Sequence, residues 1–259
     1  MFLKSLNPSI KAGTITIIMI LLALVFDPIT PLLIYIWTVG FTILFGQVTI
    51  KKWLLYFSPF LILAFGFFWT TIAFAKEAEN NSDIVPIFWL EVPTETFLLA
   101  ISLSLRVLCF SALSLLFIFT TKPTDFILSL MQQCKLPSKL AYGILAGFRF
   151  LPMLKEELFI IRSAHRIRGV NRAKSLKNYI ENIKRYSIPL LASAIRKAER
   201  TAIAMESKGF TGEKDRTFYR TIRVTGYDWL FVILMMIWLL CCSFISWRLG
   251  FFQFYNGEL

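Results

Sequence analysis

The sequence has little of what most enzymes and soluble domains rely on. Its 259 residues contain one histidine, His165. A zinc site of the metalloprotease kind needs more, and no His/Cys cluster has metal-ligand spacing, so neither a metal nor another cofactor is expected. The four cysteines are Cys109, Cys134, Cys241 and Cys242; three lie in apolar stretches, and their spacing gives no disulfide framework. No Gly-x-x-x-x-Gly-Lys-[Ser/Thr] occurs, so no loop is present to cradle ATP phosphates. Charge is scarce as well: 17% of residues are charged, against about 25% in a soluble domain.

What is present is apolar. Hydrophobic residues make up 56% of the chain, phenylalanine alone numbers 26, and mean hydropathy is +0.64. A soluble core of this length cannot hide so much apolar surface. The fold class is therefore all-α: a polytopic membrane protein with about five transmembrane helices and long amphipathic helices outside the bilayer.

The apolar runs place the spans. Ala12 to Phe26 is a short first run, and Asp27-Pro28 with Pro31 marks a turn. Ile29 to Ile50 is long enough to cross, and Lys51 and Lys52 close it. A third span runs from Trp53 to Ala75 with Pro59 inside it, and a fourth from Thr96 to Thr121 with Arg106 inside it. The last is Tyr227 to Trp247. The first run lacks a small-residue cleavage site and leads straight into another, so no cleavable signal is expected.

Charge orients these spans. Residues 122–224 carry 21 Lys/Arg and 8 Asp/Glu, whereas the rest of the chain carries 7 and 8. The loop 76–96 is acidic, net −4, and its Ile87-Phe88-Trp89-Leu90 suits the membrane interface. Lys4 and Lys11 put the N-terminus on the cytoplasmic side, and five crossings then satisfy the positive-inside rule at every short loop. The expected organisation is a membrane region 1–121, a basic cytoplasmic region 122–224, and a final span with its tail, 225–259.

The basic region reads as helical. Phe148, Leu151, Leu154, Leu158 and Ile161 recur at spacings of three and four, with Pro152 expected to kink the helix. A second helix is expected over Arg172–Arg185, and a third from about Ser187-Ile188-Pro189. On the third, Leu191, Ala194, Ala198, Ala202 and Met205 form a stripe whose small residues let another backbone come close. Two helices end on a cation followed by glycine, Ile167-Arg168-Gly169 and Ser207-Lys208-Gly209. Each is an ordinary helix stop: glycine supplies the left-handed cap and the cation meets the negative end of the dipole. Two of them in one region, on a chain without catalytic residues, also suit docking tips. Spacing leaves both readings open.

At these residues the chain resembles the transmembrane T component of energy-coupling factor (ECF) transporters, over nearly its whole length. Leu6-Asn7-Pro8-Ser9-Ile10-Lys11 is similar to a motif that opens the family, where Asp-Pro is usual. Thr120-Thr121-Lys122-Pro123 resembles its Thr-Thr-x-Pro segment. Leu136-Pro137, Arg149, Pro152, Glu156 and Glu157 match the approach to its first signature. The family's hallmark is a pair of Ala-Arg-Gly motifs. Here Ile167 and Ser207 replace alanine and Lys208 replaces arginine, while the flanking Ala204-Met205-Glu206 and Phe210 match closely.

The resemblance implies a coupling subunit with no ATPase site of its own, in a prokaryotic cell membrane. Ile167, Arg168, Gly169, Ser207, Lys208 and Gly209, supported by Arg166, Glu206 and Phe210, would dock two ABC-type ATPases, identical or different. Ala194, Ala198 and Ala202 would pack helices or meet a small membrane substrate-binding subunit, the S component. The lipid bilayer is the remaining partner, and nucleic acid is not one. The cargo would be a vitamin or metal, bound by the S component rather than by this chain.

Other readings stay in view. A secondary transporter with its own site would use Arg106, since a cation within a span is costly and often functional. No internal repeat supports that reading. A lipid- or nucleic-acid-binding scaffold would use the basic region, but acids are interleaved there. Glu156-Glu157 with Arg162 resembles the Glu-Glu-x-x-x-Arg of prenyl-protein proteases, with one residue too many and too few histidines. His165 then reads as a solvated or packed residue. Gly143 and Gly147 match Gly-x-x-x-Gly, a close-packing motif that also arises by chance.

Overall fold

The computed structural model describes residues 2–74, 84–87, 90–168, 176–213 and 218–250. The chain divides into two compact units, Met1–Ser129 with Ile222–Leu259, and Leu130–Thr221.

The first unit is a bundle of apolar helices. In order these are α1 (Phe2–Ser5), α2 (Pro8–Ala23), α3 (Ile29–Gly46), α4 (Ile50–Ala73), α5 (Thr94–Thr120), the start of α6 (Pro123–Gln133), and α9 (Gly226–Arg248). Four stretches are long and apolar enough to cross a membrane: α3, α4, Thr96–Thr120 of α5, and α9; α2 is a shorter apolar fifth. The protein is thus a helical, multi-pass membrane protein with about five spans. Between α4 and α5, β1 (Ile84–Ile87) pairs antiparallel with β2 (Leu90–Pro93), Ile84 opposite Pro93 and Ile87 opposite Leu90. Phe88 and Trp89 lie outside the described residues.

Local chemistry sets the helix ends. The Asn7 side chain accepts from the Ser9 N–H at 3.1 Å, and Pro8 takes the first helical position, where a missing N–H costs nothing. Gln47 closes α3 in the left-handed conformation, φ 53°. That stop comes before Lys51 and Lys52, so both lysines sit in the first turn of α4 rather than closing α3. Lys122 precedes Pro123, which disfavours helix at that residue, and α5 ends at Thr120.

α5 is central, packed against α2, α3 and α4. Its buried Ala100, Ser102, Cys109 and Ala112 let neighbouring backbones approach. Across the α3–α9 seam, Trp37 stacks on Trp238 with centroids 4.3 Å apart, and Phe41 meets Phe231 at 6.2 Å. Buried hydroxyls turn back on their own helices: Thr14, Thr38, Thr42 and Thr120 each donate to the carbonyl four residues earlier. α4 buries Trp53, Phe57, Ala64 and Ile72 and exposes Leu55, Ile62, Phe65 and Trp69, an outward face suited to lipid.

Lys11 does not behave as a flanking surface charge. It is 1% exposed, and its ammonium donates to the Leu3 carbonyl at 2.6 Å and to the Thr120 and Thr121 hydroxyls at 3.2 Å. The hydroxyls it meets are about a hundred residues away in the chain.

Arg106 is similarly occupied. Its Nη2 donates to the Val25 carbonyl, and its guanidinium lies 4.4 Å from the Phe26 ring centroid. Asp27 acts on it electrostatically. Asp27 is fully buried; its Oδ2 accepts from the Thr30 N–H at 3.1 Å and from the Thr30 hydroxyl. Ser102 of α5 donates to the Asp27 carbonyl at 3.0 Å. Thus α5 staples the turn between α2 and α3.

The second unit contains the end of α6, α7 (Ser138–Ile167) and α8 (Leu176–Ser207). Lys135, at φ 54°, turns the chain between α6 and α7. α8 corrects the expectation of two separate helices, since it runs unbroken through Pro189. Proline removes one donor, which orphans the carbonyl of Arg185. Arg185 is exposed, so water satisfies that carbonyl, and an ion pair with Glu181 at 3.5 Å supports the same turn. Pro152 likewise lies inside a continuous α7.

The staple yields a stability prediction. Arg106→Ala removes the hydrogen bond to the Val25 carbonyl and the cation near the buried Asp27, and should cost about 1–3 kcal/mol. Asp27→Asn in the same chain should recover part of that loss. Thermal unfolding in detergent measures both, and a double variant no more stable than Arg106→Ala would refute the pairing.

Candidate functional site

The site is built on α7 and α8. Three contacts define their relation. His165 meets Tyr186 edge to face at 5.5 Å. Glu157 Oε1 accepts from the Ser193 hydroxyl at 2.9 Å, and its Oε2 pairs with the Lys197 ammonium. Tyr142 meets the Phe210 ring edge to face at 5.5 Å. Positions rise along α8 as they fall along α7, so the helices run antiparallel. Their C-terminal tips, Arg168 and Lys208, therefore lie at opposite ends of the pair. About 25 residues of helix at 1.5 Å each separate the two levels, on the order of 35 Å.

The α8 tip is locked. The Phe210 N–H donates to the Met205 carbonyl at 3.0 Å and the Gly209 N–H to the Glu206 carbonyl at 2.9 Å, the paired bonds of a Schellman cap. That cap needs a left-handed residue, and Gly209 supplies φ +82°. Beyond it, Ser138 at the start of α7 donates to the Gly212 carbonyl at 2.9 Å, tying the outgoing chain to α7. Ser207, Lys208, Gly209 and Glu206 are exposed, and Phe210 is half-buried.

The described part of α7 ends at the Arg168 cap. The Arg168 N–H donates to the Ala164 carbonyl at 3.2 Å, and Arg166 and Arg168 are exposed. Ile167, where alanine was expected, is 87% exposed. Gly169 lies outside the described residues. One turn back, the Arg162 guanidinium lies 5.8 Å from the Tyr186 ring centroid.

The alanine stripe is only partly used within the chain. Ala194 is half-buried, whereas Ala198 and Ala202 are exposed. The seam with α7 is carried instead by Tyr186, Ser193 and Lys197, which sequence reasoning did not single out. The legible signal is Ser193 and Lys197 at i and i+4, one helix side offering two donors to one acid. Gly143 and Gly147 have open space where a Cβ would sit, so among the described residues they bring no helix close. Among the described residues no group of three potential metal ligands occurs.

Lys197 first, and then Ser193, hold the Glu157 carboxyl below the usual carboxylate range by hydrogen bonding its charged form. Both partners keep about a third of their side chains accessible, 34% for Lys197 and 27% for Glu157, so water screens the pair. A depressed folded pKa means the pair's contribution is complete above the ordinary carboxylate value and is lost as pH falls through the lower folded one. A double-mutant cycle on Glu157→Gln and Lys197→Met, read from the thermal midpoint, should therefore show coupling at neutral pH that is lost at an acid pH below the range in which the folded carboxyl titrates. Equal coupling at both pH values would exclude an ion pair.

An apolar multi-span bundle together with a basic antiparallel helix pair defines a class: a multi-pass helical membrane protein with two exposed cationic helix ends. Comparison with known proteins narrows it. The family model described as "Cobalt transport protein" (CbiQ) matches residues 1–219. The "Energy-coupling factor transporter transmembrane protein EcfT" of Lactococcus lactis subsp. cremoris is 25% identical over 241 residues, 90% of this chain and 89% of the relative. That of Macrococcus caseolyticus is 28% identical, covering 91% and 90%. That of Exiguobacterium sibiricum is 31% identical over 186 residues, 69% and 70%. The chain belongs to this CbiQ/EcfT family of energy-coupling factor transporter transmembrane components.

Proposed function

We propose that this chain is the coupling subunit of an ECF-type importer. It links ATP hydrolysis by two partner ATPases to reorientation of a small S component that carries a vitamin or metal. The observation that supports this best is the pair of exposed cationic tips at opposite ends of one antiparallel helix pair. Two tips on the order of 35 Å apart suit two similar sites on an ATPase dimer better than one ligand. ATP chemistry then belongs to the partners, and this chain transmits motion.

The proposed roles follow from side-chain chemistry. Arg168 forms a planar fork that can pair with a carboxylate through two parallel hydrogen bonds. Lys208 offers a point charge and cannot form that fork, so the two docks differ in strength. Gly169 and Gly209 end the helices, Ile167 and Ser207 flank the cations, and Arg166, Glu206 and Phe210 shape the surroundings. On α8, Leu191, Ile195, Ala198 and Ala202 are exposed and recur along one side, which suits an apolar S component. The functional division is then 1–121 for the membrane, 122–224 for coupling and 225–259 for the last span. The positive-inside rule places the N-terminus and the basic region in the cytoplasm. The secondary-transporter reading loses its main support, because Arg106 is engaged by Val25, Phe26 and Asp27.

Tagged purification in mild detergent tests the proposal. The unmodified chain should retain two ATPase chains and a small hydrophobic protein. Arg168→Glu should cut ATPase recovery tenfold or more, equivalent to ~1.4 kcal/mol. Arg168→Lys should weaken it less, and Lys208→Arg should leave it unchanged or stronger. Undiminished recovery with Arg168→Glu, or an unmodified chain that elutes alone, would overturn the reading.

A further inference from the structure

The chain passes between its two units twice, after Ser129 and before Ile222. Both passages are tied to the first turn of α2. The Ser9 and Ser129 hydroxyls share a hydrogen bond, which holds α6 just before the first passage. Lys11 donates to the hydroxyls of Thr120 and Thr121, where α5 hands over to α6. The Asn7 N–H donates to Asp228 Oδ1 at 2.6 Å, six residues after the second passage. The other oxygen of Asp228 accepts from the Thr225 N–H at 2.7 Å and the Thr225 hydroxyl at 2.9 Å. The Lys11 charge also acts on Asp228, and both side chains are almost completely buried.

We propose that Asn7, Ser9 and Lys11 form a clamp that positions both connections between the membrane bundle and the α7–α8 unit, so that displacement of either connection is carried into the bundle. A lysine kept for folding alone needs no such arrangement. An apolar residue of similar length fills the space without burying a charge, and a buried charge is costly wherever it sits. This lysine instead bridges two separate elements, the N-terminal α1 through Leu3 and the end of α5 through Thr120 and Thr121, while Asn7 reaches the start of α9 through Asp228. Ser9 adds α6. Hydrogen bonds fix direction as well as distance, so these elements move as one body or the cage opens. Lys11 is a positioning residue in this account and touches no substrate or nucleotide.

The inference about force transmission rests on the coupling-subunit reading; the clamp itself does not. Hydrogen exchange on the full chain in detergent tests the clamp alone. Lys11→Met should raise exchange in residues 121–129 and 222–228 together and leave α3 and α4 unchanged. Ser129→Ala, which keeps every charge, should raise exchange in 121–129 with the fold intact, and it decides the matter if Lys11→Met does not fold. A response confined to residues 3–11, or none in 121–129 with Ser129→Ala, overturns the clamp. In proteoliposomes holding the complex with its ATPases and S component, Ser129→Ala and Lys11→Met should leave hydrolysis within about twofold. Uptake per ATP should fall about fivefold. Unchanged uptake per ATP overturns the transmission role. An unmodified chain that recruits no ATPase overturns the coupling reading and with it transmission, while the exchange result still decides the clamp.

Discussion

Hydrocarbon offers no hydrogen bonds, so every polar group taken into the bundle must find its partner in the protein. That constraint explains where the polar residues of the first unit are. Threonines turn back onto their own helices, spending one hydroxyl on one carbonyl. Charges cannot be satisfied so locally. Lys11 and Arg106 each reach across to another element, and each ends at a place where the chain changes direction. The two buried cations mark opposite ends of the bundle's wiring: Arg106 holds the α2–α3 turn, and Lys11 holds the start of α2 against the end of α5. Among the described residues the buried Asp27 Oδ1 and Arg106 Nε have no hydrogen-bond partner, consistent with a staple that orients rather than maximises stability.

α5 connects these sites. Its small buried residues allow close neighbours, its middle carries Arg106, and its end carries Thr120. α4 contributes the reverse: it packs chiefly on α5 and leaves long apolar side chains outside. A bundle arranged this way has one central helix bonded polar-to-polar at two levels and one peripheral helix held by packing alone. Peripheral packing is cheaper to rearrange than a buried hydrogen-bonded charge, so conformational adjustment is expected along α4 before the α2–α5 contacts.

Local features were the legible ones. The spans followed from run length, and the α8 stop followed from Lys208-Gly209 because a Schellman cap is decided within six residues. The Arg168 tip was visible for the same reason. Boundaries slipped where one charge could serve two elements: Lys51 and Lys52 close one span or open the next with equal sense in the sequence. Pro189 was read as a helix start because proline favours the first turn, yet an exposed helix tolerates it when water covers the orphaned carbonyl. Lys11 was read as a surface charge because its partners at Thr120 and Thr121 are remote in sequence. The same distance hid the antiparallel pairing of α7 and α8, which depends on Glu157 meeting Ser193 and Lys197.

The pairing changes what the two signatures mean in the proposed reading. Two tips on parallel helices would share one end, and a single partner could cover both. Antiparallel helices put them at opposite ends of a stiff body, so a partner pulling on one tip tilts the pair and displaces the other in the opposite sense. Stiffness then matters more than affinity at either dock. The α8 tip is stiffened by its cap, by Phe210 against Tyr142, and by Ser138 bonding the chain beyond it. The α7 tip carries the side chain better suited to a carboxylate, since Arg168 can fork where Lys208 cannot. In the proposed reading the two tips would hold two ATPases unequally, with Arg168 the stronger contact. In that reading, arginine in place of Lys208 would strengthen a dock without altering the lever, whereas loosening Phe210 would alter the lever without touching a charge.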